Sequence, residues 1–471
     1  MNVNSIGRLM LTACTAAIGM VASAGFQAGF SKVDITPKMG TPLSGHYLYR
    51  PADGVLDPLH ARCVAMSDGE GKALIFSIDN LQIGEETVEK VKSRIVARTA
   101  VPRSAIFLAC THIHTGAACA PAAGKTPEAK QLVLDANEML AARCAEAAAA
   151  AIADMKDAKI LVGRGEARDI SFVRRFKMKD GTYRTNPPRN SPDVVCAAGT
   201  PDETLQLVRF VRKGAKEIAL VNFQCHPDLL GGTKISADWP GLTNDYLENA
   251  FGGKICSILV NGAQGDTNHI RQRWKAGDVL PRRYDMVHHM ARTVAAGAMK
   301  TWGFCREVPA GKIRSAIRNM KVKVNKAPKS DEPLARKWYK LYTDGKKAEI
   351  PGVGMERTVN VAWAGRVLQT RKWPDEKEIP VTVIAVGRSL AFGGFPGEPF
   401  TEMGRIVKRQ SKFAMTIPAC CTGGSFGYFP MADAFTVGGY ENATSRYAKG
   451  TAEILVGGMV DQLAEFYGQA E

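Results

Sequence analysis

The sequence predicts a mixed α/β architecture, with mixed sheets flanked by helices. Three observations carry that expectation. Apolar runs of strand length alternate with stretches of helix length, the pattern of helices covering the faces of a sheet. Two pairs of such runs are separated by short glycine-bearing turns, at Lys213-Gly214 and Gly387-Arg388, which marks hairpins. Several runs end directly in histidine, asparagine or aspartate, at the strand edge where open α/β sheets place their sites.

In chain order, residues 73–78 read as a buried strand ending at Asp79, and 85–97 as a helix. Residues 105–110 are again a strand, and 127–153 a long helix containing an alanine-rich stretch near Ala147 to Ala151. The runs 204–211 and 217–223 form the first hairpin, and 255–260 a short strand. Residues 284–301 are helical, 381–386 and 389–393 form the second hairpin, and 445–468 closes the chain as an amphipathic helix. In Ser236-Ala237-Asp238-Trp239-Pro240-Gly241, Asp238 reads as a helix N-cap and Trp239 as a staple or pocket wall.

With 471 residues the chain can bury a large core without metal or disulfide staples. Its formal net charge of +16 favours anionic surroundings, including peripheral contact with a membrane surface. No zinc-finger spacing, stacking aromatics or basic recognition helix accompanies that charge, so nucleic acid is not expected as a partner. Residues 312–347 are strongly basic and carry Trp338, Tyr339 and Tyr342. They read as a solvated insertion or, alternatively, as a binding patch suited to lipid headgroups.

Residues 1–24 have the form of an export signal, with Arg8, an apolar run and the small-x-small end Ala22-Ser23-Ala24. A lipoprotein signal using Cys14 is the rival reading, and both make the mature chain exported. That leaves residues 25–471 as one catalytic domain. Its ten cysteines show no C-x-x-C spacing, which argues against a thiolate zinc cluster.

Only eight histidines occur, so their placement is informative. His112 and His114 follow an apolar strand in Thr111-His112-Ile113-His114-Thr115-Gly116. In extended backbone, residues two apart share a face, so both imidazoles can enter one site. His226 follows another strand in Gln224-Cys225-His226-Pro227, and Glu398 sits just past a hairpin in Pro396-Gly397-Glu398. Two imidazoles and a carboxylate suit a catalytic zinc ion with an open position. His46, His60, His269, His288 and His289 read as structural.

These motifs resemble the neutral/alkaline non-lysosomal ceramidase family, over about Gly29 to Ala452. The opening segment Gly29 to Pro37 is similar to its G-x-x-D-I-T start, and Thr111 to Gly116 to its T-H-T-H-S-G. Pro396-Gly397-Glu398 matches its P-G-E, and Gly427-Tyr428 with Tyr440-Glu441 its paired tyrosines. The resemblance implies a neutral-ceramidase-like catalytic domain that hydrolyses the amide of an N-acylsphingosine or related N-acyl lipid with zinc-activated water. It implies one Zn2+ per chain, held by His112, His226, Glu398 and Tyr428. His114 and Tyr440 would then face the substrate amide, and Arg174, with Arg175 as the alternative, would be the active-site arginine.

The glycine-rich loop Asn261-Gly262-Ala263-Gln264-Gly265-Asp266-Thr267 resembles the family's loop near the metal. Gly262, Gln264 and Gly265 are therefore candidate substrate contacts, their backbone N–H groups suiting an anion. The loop lacks the family's serine, and Val173 replaces an asparagine. The family's larger members also carry a C-terminal β-sandwich for which this chain has no room after Tyr440. These departures keep two alternatives open: the same zinc scaffold acting on a non-lipid amide or ester, or an inactive exported binding protein.

Overall fold

The computed structural model describes residues 25–273 and 283–470; the expected leader and Cys14 lie outside them. The main sheet has nine strands in two wings. Gln27–Asp34, His60–Ser67, Lys72–Ile78 and Ile106–Cys110 make the first wing, antiparallel except for its last pair. Lys156–Glu166, Thr204–Arg212, Glu217–Phe223 and Ile255–Asn261 make the second, again with a parallel pair outermost. Among the described residues the wings share one strand pairing, of Gln27 and Ala28 with Asp157 and Lys156, and Arg306–Val308 adds the ninth strand.

Each parallel pair needs a crossover, and each has a helix for it. Glu85–Thr99 links Lys72–Ile78 to Ile106–Cys110, and Asp238–Ala250 links Glu217–Phe223 to Ile255–Asn261. The two wings thus repeat one βαβ logic, and both turn the carboxyl ends of these strands toward the same rim. Pro127–Ala153 covers the first wing, its N-terminus capped by Thr126, which accepts from Ala129 N at 3.2 Å. Its alanine face permits very close approach. A Cβ on Gly29 would lie 2.0 Å from the Ala151 carbonyl oxygen, so that strand position must be glycine.

A second sheet of Ile313–Lys323, Glu376–Val386, Leu390–Gly394 and Met415–Ala419 stands against the rim, packed under the helix Thr451–Gly468. Both expected hairpins are present, with Phe210 opposite Ile218 and Val386 opposite Leu390.

Three local expectations are corrected. The closing helix begins at Thr451 rather than 445, because Gly450 at φ +91° breaks the chain after the short helix Tyr440–Thr444. Asp238 is the first helical residue, not the cap; it sits at φ +47°, accepts from Trp239 N at 2.6 Å, and leaves Oδ2 unpartnered. Trp239 is fully buried against Phe223.

The basic stretch 312–347 divides in two. Ile313–Lys323 pairs with Glu376–Val386 over eleven residues as a regular sheet strand, which a solvated insertion would not do. Glu332–Thr343 is a helix that packs on Met355–Arg371 through Ala335, Ala364 and Val367, with Trp338 and Trp363 edge to face at 5.4 Å.

Candidate metal centre

The rim is drawn together by one asparagine at the end of a strand. Asn261 Nδ2 donates to the Thr111 carbonyl at 2.9 Å and to the Cys225 carbonyl at 3.2 Å, and its own carbonyl accepts from Cys420 N at 3.0 Å. Thr111 precedes His112 and Cys225 precedes His226, so this amide sets the spacing of the two histidines. Cys110 N also donates to the Cys421 carbonyl at 3.2 Å, which fastens the second sheet to the same edge.

His112 leaves the strand in the left-handed region, at φ +72°, a strained backbone for a histidine. Extended-chain reasoning therefore gave the right convergence for the wrong backbone: His112 and His114 meet because the chain turns, with ring centroids 5.3 Å apart. His112 Nδ1 donates to the Leu81 carbonyl at 2.9 Å, and His226 Nδ1 faces the Gln264 carbonyl at 3.5 Å. Each ring so fixed turns its Nε2 inward as a lone pair, the arrangement of a metal-binding histidine.

The inward atoms are closely spaced. The two Nε2 atoms are 3.2 Å apart, and Glu398 Oε2 lies 3.2 Å from that of His112 and 3.7 Å from that of His226. His112, His114 and His226 are all buried, with ligand atoms within 4.8 Å of one another, so the cluster could hold a metal ion. Neither ring nitrogen of His114 has a hydrogen-bond partner, nor has Glu398 Oε2. Acceptors facing one another without a donor call for a cation or a proton among them. Burial holds the pKa values of His114 and His226 well below the ordinary histidine value. Burial also opposes the His112 cation, but the Glu398 carboxylate outweighs it and raises that pKa.

The remaining candidates gather around this cluster. Tyr428 is paired in register with Glu398 and its ring lies parallel to that of His226 at 6.5 Å. Arg174, not Arg175, reaches the centre: its Nη2 donates to Tyr428 OH at 3.1 Å and to the Gly265 carbonyl at 2.8 Å. Its Nε donates to Glu441 Oε1 at 2.7 Å, a buried carboxylate also held by Thr185. Arg175 instead donates to the Gly438 carbonyl at 3.1 Å. Tyr440 OH donates to Tyr47 OH at 3.4 Å, with its ring 5.6 Å from that of Tyr428.

The glycine-rich loop does not offer the expected anion nest. Gly262 N donates to the Phe223 carbonyl at 3.0 Å and Gly265 N to the Pro399 carbonyl at 2.8 Å, so both are committed to the backbone. Gln264 contributes its carbonyl toward His226 rather than a substrate contact, and its side-chain amide is buried and unpartnered. His46, read from the sequence as structural, instead lines the cleft, and Tyr47 and Asp228, not singled out there, also belong here. His46 stands 5.4 Å from His114, Tyr47 meets Tyr440, and Asp228 pairs with His269 at 3.0 Å two residues after His226. They sit on loops without periodicity, and no spacing distinguishes them.

The cluster opens into a cleft of about 900 Å³. His112, His114, Glu398, Tyr428 and Tyr440 line one side, and residues of the Glu332–Arg371 helical hairpin line the other.

Fold and site together define a mixed α/β protein whose strand ends converge on a buried, metal-competent histidine cluster beside a deep cleft. Its architecture is that of neutral ceramidase. The crystal structure of neutral ceramidase from Pseudomonas aeruginosa matches with a TM-score of 0.71 at 16% identity, over 94% of this chain and 75% of that one. A ceramidase complexed with C2 matches with a TM-score of 0.69 at 15% identity, over 95% and 76%. At such identities the likeness shows the fold. No protein-family model and no curated protein sequence matches the chain.

Proposed function

We propose that the chain is an exported zinc-dependent amidohydrolase that cleaves the amide of an N-acylsphingosine or related N-acyl lipid. The observation that carries this reading is the triangle of His112 Nε2, His226 Nε2 and Glu398 Oε2, with edges of 3.2, 3.2 and 3.7 Å. Ligands about 2.0–2.2 Å from a tetrahedral zinc stand roughly 3.3–3.6 Å from one another. His112, His226 and Glu398 would hold the ion with Tyr428 as the fourth ligand, leaving His114 to the substrate. Bound zinc supplies Lewis acidity toward a carbonyl oxygen and toward water.

The chain's own groups do the rest. Arg174, held by Glu441, donates to Tyr428 OH and orients that phenol. Tyr440, which lines the cleft, would turn its OH from Tyr47 to donate to the substrate's carbonyl oxygen as charge develops there. As water adds to the carbonyl carbon and the C–N bond breaks, the amine nitrogen must gain a proton. A ring nitrogen of His114, free of protein partners, is the group that passes it.

The test is release of fatty acid from a labelled ceramide by the mature chain, stripped with chelator and then resupplied with zinc. Zinc-dependent release is expected. Bound zinc without ceramide turnover would overturn the lipid assignment and move the substrate to another exported amide or ester.

A further inference from the structure

We propose that the cleft binds an anionic group on the substrate, through Arg366 of the helical hairpin and Arg446 beside Gly427. Among the side chains lining the cleft, five lysines and arginines stand against two carboxylates, Glu332 and Glu398. Glu332 is already engaged, pairing with Arg336 and Arg371. Arg366 and Arg446 have no carboxylate within ion-pair distance among the described residues.

Both are nonetheless held in place by the backbone. Arg366, only 9% exposed, donates from Nε to the Ala443 carbonyl at 2.9 Å and from Nη1 to the Asn325 carbonyl at 2.8 Å. Arg446 donates from Nη2 to the Ser425 carbonyl at 2.8 Å and stands 5.8 Å from the Trp373 ring. Asn325 N donates to the Arg446 carbonyl at 2.9 Å, so one residue fixes both arginines at the same corner.

Neutral carbonyls hold part of each guanidinium, and burial lowers both pKa values, outweighing the more distant carboxylates Asp331 for Arg366 and Glu398 and Glu85 for Arg446. Removing positive charge from water without a countercharge is costly unless something anionic arrives. A carboxylate, sulfonate, sulfate or phosphate meets the forked geometry of arginine. The preferred substrate is therefore an N-acyl compound that bears an anion beside its scissile amide's end of the cleft or along it. The position of that amide rests on the amidohydrolase reading; the binding does not.

Titration calorimetry of the full chain, with and without zinc, separates the two. The probes are N-octanoyl taurine and its neutral counterpart N-octanoyl ethanolamine. The sulfonate is expected to bind about ten-fold tighter or better, the worth of a charge-assisted pair. Arg446→Gln or Arg366→Gln should shrink that preference to about two-fold or less. Lys337→Ala, an exposed cation away from the cleft lining, should keep it. Equal binding of the two probes by the unmodified chain overturns the proposal without need of any variant, as does a preference that survives both glutamine substitutions. Selective binding by a chain that shows no zinc-dependent hydrolysis of ceramide or of either probe leaves the anion site standing and defeats the amidohydrolase reading.

Discussion

The two walls of the cleft are built by opposite means. On the strand-end rim the site side chains are held by bonds spanning long stretches of chain: Asn261 to Thr111, Arg174 to Glu441, Arg174 to Tyr428. These groups are buried, so each bond is formed in low dielectric and its loss leaves a costly orphan. On the helical hairpin facing it, Arg336 with Glu332 and Lys340 with Asp344 form ion pairs one turn apart whose cations are exposed. Such pairs are worth about 0.3–0.5 kcal/mol each. A rim of this kind presents fixed atoms to a reaction, whereas the hairpin presents side chains that can change without unseating the fold. Chemistry belongs to the first wall and selection to the second.

The harshest way to break that division is to remove a rim ligand. His112→Ala or His226→Ala should empty the metal site and lower hydrolysis by about 10³-fold or more. Metal content and kcat measured on the same sample check this, and stoichiometric zinc in His112→Ala would show that the rim is no metal centre. His114→Ala should keep the zinc and lower kcat by about 10²–10⁴-fold, the range for a lost general acid–base group. An empty site in that variant would instead make His114 a ligand, in line with the three-histidine grouping.

How much of each wall could be read from the residues follows from the same contrast. His112, His226 and Glu398 each follow a strand, and a strand end is visible as an apolar run that stops at a polar residue, whereas Tyr428 is legible only through the paired-tyrosine resemblance. Asn261 ends such a run too, but an asparagine there has no distinctive chemistry until its amide is seen bridging two other strands. His46 and Tyr47 reach the site from a loop, where neither period nor motif points inward. The hairpin was hidden by charge. In the neighbouring strand Ile313–Lys323 only Met320-Lys321-Val322-Lys323 alternates apolar with charged residues, and with Arg314 and Arg318 the segment looks like a solvated tract. Trp338 and Trp363, which join the two helices, lie twenty-five residues apart and mark nothing alone.

The hairpin offers a milder break. Trp338→Ala removes the edge-to-face partner of Trp363 and loosens the helix that brings Tyr339 and Tyr342 to the cleft. Aromatic pairs of this kind contribute about 0.5–1.5 kcal/mol beyond the area they bury. The expected outcome is a KM raised about three- to ten-fold with kcat nearly unchanged, because binding is disturbed and the rim is not. A fall in kcat with KM constant would mean that the hairpin positions the chemistry after all.

The smallest effect expected concerns stability, and it too separates the walls. Burial pushes the Asp238 carboxyl up to about 7, and its Oδ2 has no partner. An acid whose folded pKa exceeds its unfolded one binds more protons when folded, so its contribution is present below about pH 4 and is lost as pH rises toward 7. Melting in the presence of chelator, which removes any contribution from metal binding, should therefore show Tm falling between pH 5 and pH 8 by more in the unmodified chain than in Asp238→Asn. Asparagine tolerates the positive φ at this position and does not titrate, so the substitution keeps the backbone and removes only the proton. Arg336→Gln on the hairpin, breaking an exposed pair, should leave that pH dependence as it was. If Asp238→Asn keeps the full slope, the titrating group lies elsewhere on the rim, and the buried Asp79 paired with Arg62 becomes the next carboxyl to replace.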